Sequence, residues 1–467
     1  MKRSAGVLLH ITSLYDQYGC GTFGSNAYHF IDLLKEAGFT YWQILPFSIA
    51  DSDNSPYSSL ATFFGNPMMI DLVELKERGL LKEVDLINAC HKFDFENQLK
   101  FKEDKERLLR IAFSNLREDD KKKINEYVDS NDLIKKASQF FALREANDYK
   151  DFQKWEIKDY KNIDYYNFIN YTFYNQWFKL KKYANDLGLK IIGDVPIYVN
   201  LESADVYFNK DIFMLSNDAY PEFVSGVPDG NNGRGQKWNH PLYDVKKLKE
   251  SNYHFLIERF KFFFDLFDLI RIDHFRAFSS FYAIPYDKTA LEGKWMEGVG
   301  RPFLKLLIEK IGEGKLIAED VGGLDKDTQA LLKEFNIPGM NILEFNYHID
   351  NYKDNSIAYT TTHDNNTLLG FINRFDEDRY AYFKKCLNIE CSDRIECAKL
   401  AVEEILKSKA DIAIIPMQDL LLQGEDRRMN VPGTIGNNWY YQMNKDDVIN
   451  FEKKIKYFNN IIKMGER

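Results

Sequence analysis

The run DIAIIPM at residues 411–417 is apolar almost throughout and does not alternate between apolar and polar side chains. A strand with that pattern has both faces covered, which is typical of the parallel sheets of α/β proteins. Seven further runs share the pattern and are followed by Gly, Pro or a polar residue: 5–11, 40–47, 190–195, 267–273, 315–320, 341–346 and 356–362. The sequence therefore predicts eight buried parallel strands.

Helix-like segments separate most of these strands. Apolar residues recur at three- and four-residue spacing in segments 26–37, 171–187, 250–266, 302–311 and 393–407. Such an alternation fits an α/β protein of either of two kinds, a closed (β/α)₈ TIM barrel or an open doubly wound sheet. The number of strands favours the barrel.

We expect the whole chain, residues 1–467, to form a single barrel with insertions. The stretch from 48 to 189 is too long for one strand–helix unit and predicts an inserted helical subdomain at about 60–170. A second insertion is expected at about 200–250. It contains PDGNNGRG at 228–235, whose Gly and Asn residues are typical of a mobile loop of the kind that covers active sites.

Composition excludes several classes of protein. A chain with 45% hydrophobic and 15% aromatic residues is neither disordered nor a simple coiled coil. Its net charge of −9 gives no general attraction to nucleic acid or to an anionic membrane. The five cysteines form no C-x-x-C pair, which argues against a disulfide framework and a zinc knuckle. With no apolar run long enough for a signal core or a membrane span, the sequence predicts a cytoplasmic protein.

Acidic residues stand at or just beyond the ends of several predicted strands: Asp194, Asp273, Glu319 and Asp364. Active groups of TIM barrels lie at the carboxyl ends of the strands. Any one of these acids could instead cap the following helix. Carboxylates that converge from different strands suit glycosyl transfer, in which one attacks the anomeric carbon and another protonates the departing oxygen.

A sugar site also needs stacking surfaces. Tyr57, Trp238 and Trp295 are candidates, because an aromatic face can pack against the C–H face of a pyranose. Core packing is the common alternative in a chain with 28 Tyr and 36 Phe.

Five motifs resemble those of one family: SPYSS at 55–59, GDVPIYV at 193–199, RIDHFR at 271–276, AEDVG at 318–322 and THDNNT at 362–367. The chain resembles the 4-α-glucanotransferases of glycoside hydrolase family 77, also called amylomaltases or disproportionating enzymes. The resemblance runs from LLHITSLYDQYGCGTFG near the start to NVPGTIGNNW near the end. It implies a retaining transferase on a (β/α)₈ barrel without a C-terminal β domain, acting on maltooligosaccharides and other α-1,4-glucans with no metal or cofactor.

The resemblance also assigns the reacting groups. It implies that Asp273 is the nucleophile, Glu319 the general acid/base and Asp364 the stabiliser of the transition state. Arg271 lies on the same strand face as Asp273, and we expect it to lower the pKa of that carboxyl, although an ordinary ion pair is an alternative. Burial near other carboxylates is expected to raise the pKa of Glu319.

Further residues are expected to bind sugar through the same resemblance: Tyr57, Asp194, Trp238, Arg271, His274 and His363. His363 is expected to hydrogen-bond the ring beside Asp364, although it could be a satisfied core histidine. The segment 226–243 corresponds to the family's lid-like loop but lacks the usual double proline and Phe-Ser pair. The sequence therefore leaves the preference for acceptors open.

Three alternatives remain at this point. Residues 19–24 fit the G-x-G-x-x-G pattern of dinucleotide-binding enzymes, but the glycines come too far beyond the preceding strand and the next strand ends without an acid. An α-amylase-type hydrolase would use the same acids with water as the acceptor. A glucan-binding protein without activity would also keep the stacking surfaces.

Overall fold

Twelve strands form two sheets in the computed structural model, which describes residues 2–50, 54–228, 233–322, 325–434 and 436–467. In chain order the strands are β1 Ser4–Leu8, β2 Tyr41–Gln43, β3 Lys190–Val195, β4 Phe223–Val227, β5 Gln236–Pro241, β6 Leu269–Ile272, β7 Ser280–Pro285, β8 Lys294–Glu297, β9 Leu316–Ala318, β10 Gly339–Ile342, β11 Ser356–Tyr359 and β12 Ile412–Pro416.

The larger sheet is a parallel barrel. Its eight strands run in the order β10, β11, β12, β1, β2, β3, β6, β9, and each lies within or overlaps one of the eight predicted runs. Strand β1 pairs with β12 from Ser4 opposite Ile412 onward. Strands such as β1 and β12 are buried along their whole length, as the continuous apolar runs predict, whereas β10 is half-buried over its first three residues. The prediction of a (β/α)₈ barrel is confirmed.

The barrel closes between β9 and β10 without a ladder between the two strands. One backbone hydrogen bond crosses this seam, from the amide of Ala318 to the carbonyl of Pro338 at 2.9 Å. The Asp320 carboxylate accepts a second bond from the amide of Met340 at 2.7 Å. A Cβ at Gly339 would lie 2.0 Å from this carboxylate, so only glycine fits there.

Seventeen α-helices are described: α1 Ser25–Ala37, α2 Leu72–Glu77, α3 Glu83–Ile87, α4 Gln98–Ser114, α5 Glu118–Asp129, α6 Asp132–Ala146, α7 Ile163–Asp186, α8 Ala204–Phe208, α9 Val245–Glu250, α10 His254–Leu266, α11 Gly300–Ile311, α12 Lys326–Glu334, α13 Leu368–Asn373, α14 Glu377–Leu387, α15 Arg394–Lys407, α16 Met417–Leu420 and α17 Lys445–Met464. Helices α1, α7, α10, α11 and α15 occupy the five segments with helical spacing. Helices α2 to α6 lie in the long stretch between β2 and β3, where α5 and α6 pack against α7.

The smaller sheet is antiparallel, in the order β5, β4, β7, β8, and the sequence analysis did not predict it. Strands β4 and β5 form a hairpin in the second insertion, while β7 and β8 follow β6. Residues 229–232 of the predicted mobile loop lie outside the described residues. The edge strand β8 is mostly exposed, so it has no apolar run that would mark it as a strand.

The amino end of the barrel is bound to the last residue of the chain. The Arg467 guanidinium donates to the backbone carbonyls of Ser4, Leu406, Ala410 and others between α15 and β12, at 2.6–3.0 Å. This one side chain therefore connects the starts of β1 and β12.

Two further features concern the cysteines and the helices. All five cysteines are free thiols. Within the described ranges, no helix combines the length and apolar character that crossing a membrane requires.

Candidate active site

The predicted acids meet at the carboxyl ends of the barrel strands. Asp194 lies on β3, Asp273 directly follows β6, and Glu319 directly follows β9. Asp364 lies in the loop after β11. Since these strands are parallel neighbours or near neighbours in one barrel, their ends place the four carboxylates around one opening.

Arg271 organises the first part of the site. It is paired with Asp194 across β3 and β6, and its Nη1 lies 2.7 and 2.6 Å from the two Asp194 oxygens and 3.2 Å from Oδ1 of Asp273. The Tyr57 hydroxyl donates to Asp194 Oδ2 at 2.9 Å. The Asp194 side chain is 0% exposed and that of Asp273 is 29% exposed. Of the two carboxylates that share the guanidinium, Asp273 is the one that a substrate can reach.

The charge state of Asp273 is set by opposing effects. Burial raises its pKa to about 7, Arg271 opposes that rise, and the nearby carboxylates of Asp194, Glu319 and Asp364 add to it. Arg271 thus acts in the expected direction, but burial outweighs it. Burial also raises the pKa of Glu319. Because the ionised Glu319 carboxylate disfavours ionisation of Asp273, the two groups do not titrate independently.

Backbone amides hold Glu319 in place. The amide of His274 donates to Oε2 at 2.8 Å and the amide of Val321 to Oε1 at 2.9 Å. His274 has φ 52° and ψ 52°, a left-handed conformation that is uncommon for a residue with a side chain. That conformation occurs at the turn where the chain leaves β6, and it accompanies an amide that is directed at the acid.

Asp364 and His363 form the second part of the site. Oδ2 of Asp364 lies 3.4 Å from Nε2 of His363, and Oδ1 accepts from the Asn430 amide at 2.7 Å. Burial raises the pKa of Asp364, but His363 and Asn430 hold it below its ordinary value. Burial lowers the pKa of His363, but Asp364 and Asp194 together hold it above its ordinary value. The Tyr57 ring stacks on His363 with centroids 5.2 Å apart and an interplanar angle of 13°.

Aromatic rings line the side toward the smaller sheet. Trp238 on β5 contacts the ring of His274 edge-on, with centroids 4.9 Å apart. Burial lowers the pKa of His274 to about 4, so this ring is neutral at physiological pH. Trp295, the other candidate on this side, has the Arg276 guanidinium 3.7 Å from its ring centroid. One face of Trp295 is therefore covered and is not available to a sugar.

A cavity of about 370 Å³ lies beside the site, between the barrel and α4. His10, Pro56 and Trp439 line its barrel side, and Lys102 and Glu106 line its helical side. This size falls within the range of small-molecule sites. No group of three His, Cys, Asp or Glu side chains that could hold a metal ion occurs in the part of the chain that the structure describes.

Sequence reasoning missed four residues of the site, all after β12: Asp419, Arg428, Asn430 and Trp439. The Trp439 ring lies 5.9 Å from that of Tyr57 and 6.0 Å from that of His363. Asn430 and Trp439 are the first and last residues of the NVPGTIGNNW motif. The sequence analysis used that motif for the resemblance but assigned no role to either residue. Asp419 lies shortly after β12, as Asp273 and Glu319 lie directly after β6 and β9.

Comparison with known proteins identifies the family of the chain and agrees with its fold. A family model described as 4-α-glucanotransferase matches residues 9–447. The 4-α-glucanotransferase of Clostridium butyricum is 35% identical over 96% of this chain and 98% of its own length. That of Aquifex aeolicus is 34% identical over 95% and 96%. The structure of amylomaltase from Streptococcus agalactiae in complex with acarbose has a TM-score of 0.95 at 32% identity and covers 100% of both chains. The chain belongs to the 4-α-glucanotransferase family.

Proposed function

We propose that the protein moves α-1,4-glucan segments from a donor maltooligosaccharide to the 4-hydroxyl of an acceptor glucan or glucose, by double displacement through a covalent glycosyl-aspartate. The observation that carries the proposal is the set of hydrogen bonds from the Arg271 guanidinium to Asp194 and Asp273. It leaves Asp273 as the accessible carboxylate of a pair that shares one guanidinium. Asp273 and the neighbouring Glu319 both have a raised pKa, which favours a state in which these two carboxyl groups hold the single proton that the first step needs.

In the first step the Asp273 carboxylate attacks the anomeric carbon, and the bond from that carbon to the leaving oxygen breaks. Glu319 gives its proton to that oxygen, and the shortened glucan leaves. In the second step the acceptor 4-hydroxyl attacks the same carbon, Glu319 takes its proton, and the bond to Asp273 breaks. Two inversions retain the anomeric configuration.

Positive charge that develops on the sugar ring is stabilised by the second part of the site, Asp364 and His363. Asp364 stays ionised because His363 and the Asn430 amide favour its charged form. An ionised carboxylate beside the ring lowers the energy of an oxocarbenium-like transition state. Tyr57 stacked on His363 offers an apolar face to the donor sugar, and the cavity beside Trp439 gives space to the donor chain.

Transfer rather than hydrolysis requires an acceptor site that excludes water. Trp238 against His274 supplies an apolar surface next to Glu319. A sugar bound there has a high effective concentration at the intermediate.

The cytoplasmic location stays a prediction.

Incubation of the protein with maltotriose tests the proposal. We expect glucose together with a ladder of longer oligomers, since each transfer lengthens one chain as it shortens another. Glucose and maltose alone would indicate a hydrolase, and maltotriose bound without any product would indicate a binding protein. Either outcome would contradict the proposed transfer.

A further inference from the structure

We propose that Asn430 is a positioning residue for this reaction, which orients the Asp364 carboxylate from a separate segment of the chain. The inference rests on the proposed function. It draws on the contacts between two loops, the one after β11 that carries Asp364 and the one after β12 that carries Asn430.

The loop after β11 is held at both ends by one carboxylate. Asp419, only 1% exposed, accepts hydrogen bonds from three groups. The donors are the hydroxyls of Thr360 at 2.6 Å and Thr361 at 2.7 Å and the amide of Leu368 at 2.7 Å. Since the donors flank His363 and Asp364, the path of the loop between them is constrained.

Arg428 then joins the middle of that loop to the segment after β12. Its Nη2 donates to the backbone carbonyl of Asp364 at 2.6 Å, and its Nε donates to the carbonyl of Asn430, also at 2.6 Å. One rigid guanidinium therefore fixes the two backbones relative to each other. This brings the Asn430 side chain to the Asp364 carboxylate.

The contact itself is short, and its donor is buried. Nδ2 of Asn430 lies 2.7 Å from Oδ1 of Asp364, and Asn430 is 8% exposed. The Asp364 side chain is itself 45% exposed toward the site, so the buried Asn430 amide is the contact that fixes the direction of Oδ1, and loss of that donor frees the carboxylate to turn. An amide is suited to the task because it donates without adding a positive charge beside the developing cation of the ring.

The experiment compares Asn430→Ala with Asn430→Asp. For the alanine variant we expect kcat on maltotriose to fall about 10- to 100-fold, because a hydrogen bond to a charged group is lost, while KM changes less than about threefold. The effect should fall on kcat because Asp364 acts chiefly on the transition state. The ratio of alanine-variant to wild-type kcat should not depend on pH.

The aspartate variant gives a measurement that a purely structural role would not change, namely the pH dependence of its activity. A protonated Asp at 430 can donate to Asp364 as the amide does, whereas an ionised Asp repels it. We therefore expect the activity of Asn430→Asp relative to wild type to fall steadily as pH rises from 5 to 8. Asn355→Ala is the matched control, since Asn355 is an exposed amide at the opposite end of β11 and should leave kcat unchanged.

The outcomes separate the two proposals. Absence of products from the wild-type protein would refute the function itself. A product ladder from wild type, together with an Asn430→Ala kcat within twofold of wild type, would overturn the positioning role alone. If the alanine variant is poorly folded by its thermal midpoint, a folded Asn430→Asp whose relative activity does not change with pH overturns that role as well.

Discussion

Replacement of Arg271 by methionine tests the central network of the site. Methionine keeps much of the side-chain volume and removes the charge. Asp194, 0% exposed, then keeps Tyr57 as a donor but has lost both contacts of 2.6–2.7 Å to a cation. Removal of one partner from a buried ion pair costs about 3–5 kcal/mol. We expect a free energy of unfolding lower by that amount at pH 7.

The pH dependence of this loss follows from its cause. Protonation of Asp273, whose pKa is already raised, removes part of the unpaired charge, so the loss of stability should shrink as the pH falls below 7. Arg271 also opposes the rise in the pKa of Asp273, which stands at about 7 in the wild-type protein. In the variant this pKa should rise further, so the acidic limb of kcat/KM, which requires ionised Asp273, should move to higher pH by about one unit or more.

Arg301→Met is the matched control. Arg301 makes an ion pair with Glu334 at 2.6 Å, but its side chain is 68% exposed. Exposed pairs contribute about 0–1 kcal/mol, so this variant should unfold and react almost as wild type does. Urea denaturation and kcat/KM between pH 5 and 9 measure both effects. Equal stabilities of the two variants, with unchanged acidic limbs, would refute the reasoning.

Three further predictions follow from the structure. Asp273→Asn and Glu319→Gln should each lower kcat on maltotriose by at least about 10³ while the thermal midpoint stays within a few degrees of wild type, and disproportionation at near-wild-type rates would contradict the assigned roles. The wild-type kcat/KM should fall on the acidic side of about pH 7, because burial raises the pKa of Asp273 to about 7 and the protonated carboxyl cannot attack; a limb near pH 4 would count against this. Arg467→Ala should lower the free energy of unfolding by about 2 kcal/mol with unchanged kcat, because several buried carbonyls lose their donor; unaltered urea denaturation would show that these contacts are dispensable.

The barrel could be predicted from the sequence because its strands are covered on both faces. Continuous apolar runs such as β12 cannot be solvated, and eight of them leave few architectures. Strands β5 and β8 were not predicted, for the opposite reason. Their side chains are largely exposed or half-buried, so a polar sequence satisfies them and carries no periodic signal.

The position of the acids was predictable because several strands end in one and the ends of parallel strands meet at one edge of a barrel, whereas their roles rest on the resemblance of the motifs. Asp273, Glu319 and Asp364 are such acids, and the structure brings them to one rim. The role of Asn430 could not be predicted from the sequence, because it depends on a contact with a residue 66 positions away. The balance at Asp273 was also hidden, since the sequence reveals Arg271 as a neighbour but not the depth of burial that outweighs it.

The seam between β9 and β10 has a consequence for motion. Elsewhere around the barrel a strand can separate only if several ladder bonds break together, whereas here a single backbone bond and the carboxylate of Asp320 complete the ring. Amide hydrogen exchange at Met340 should therefore be faster than at the middle of β12. Asp320 adjoins Glu319 in the chain, so a fluctuation that separates β9 from β10 would displace Glu319, the proposed proton donor, while Asp273, directly after β6, keeps its place.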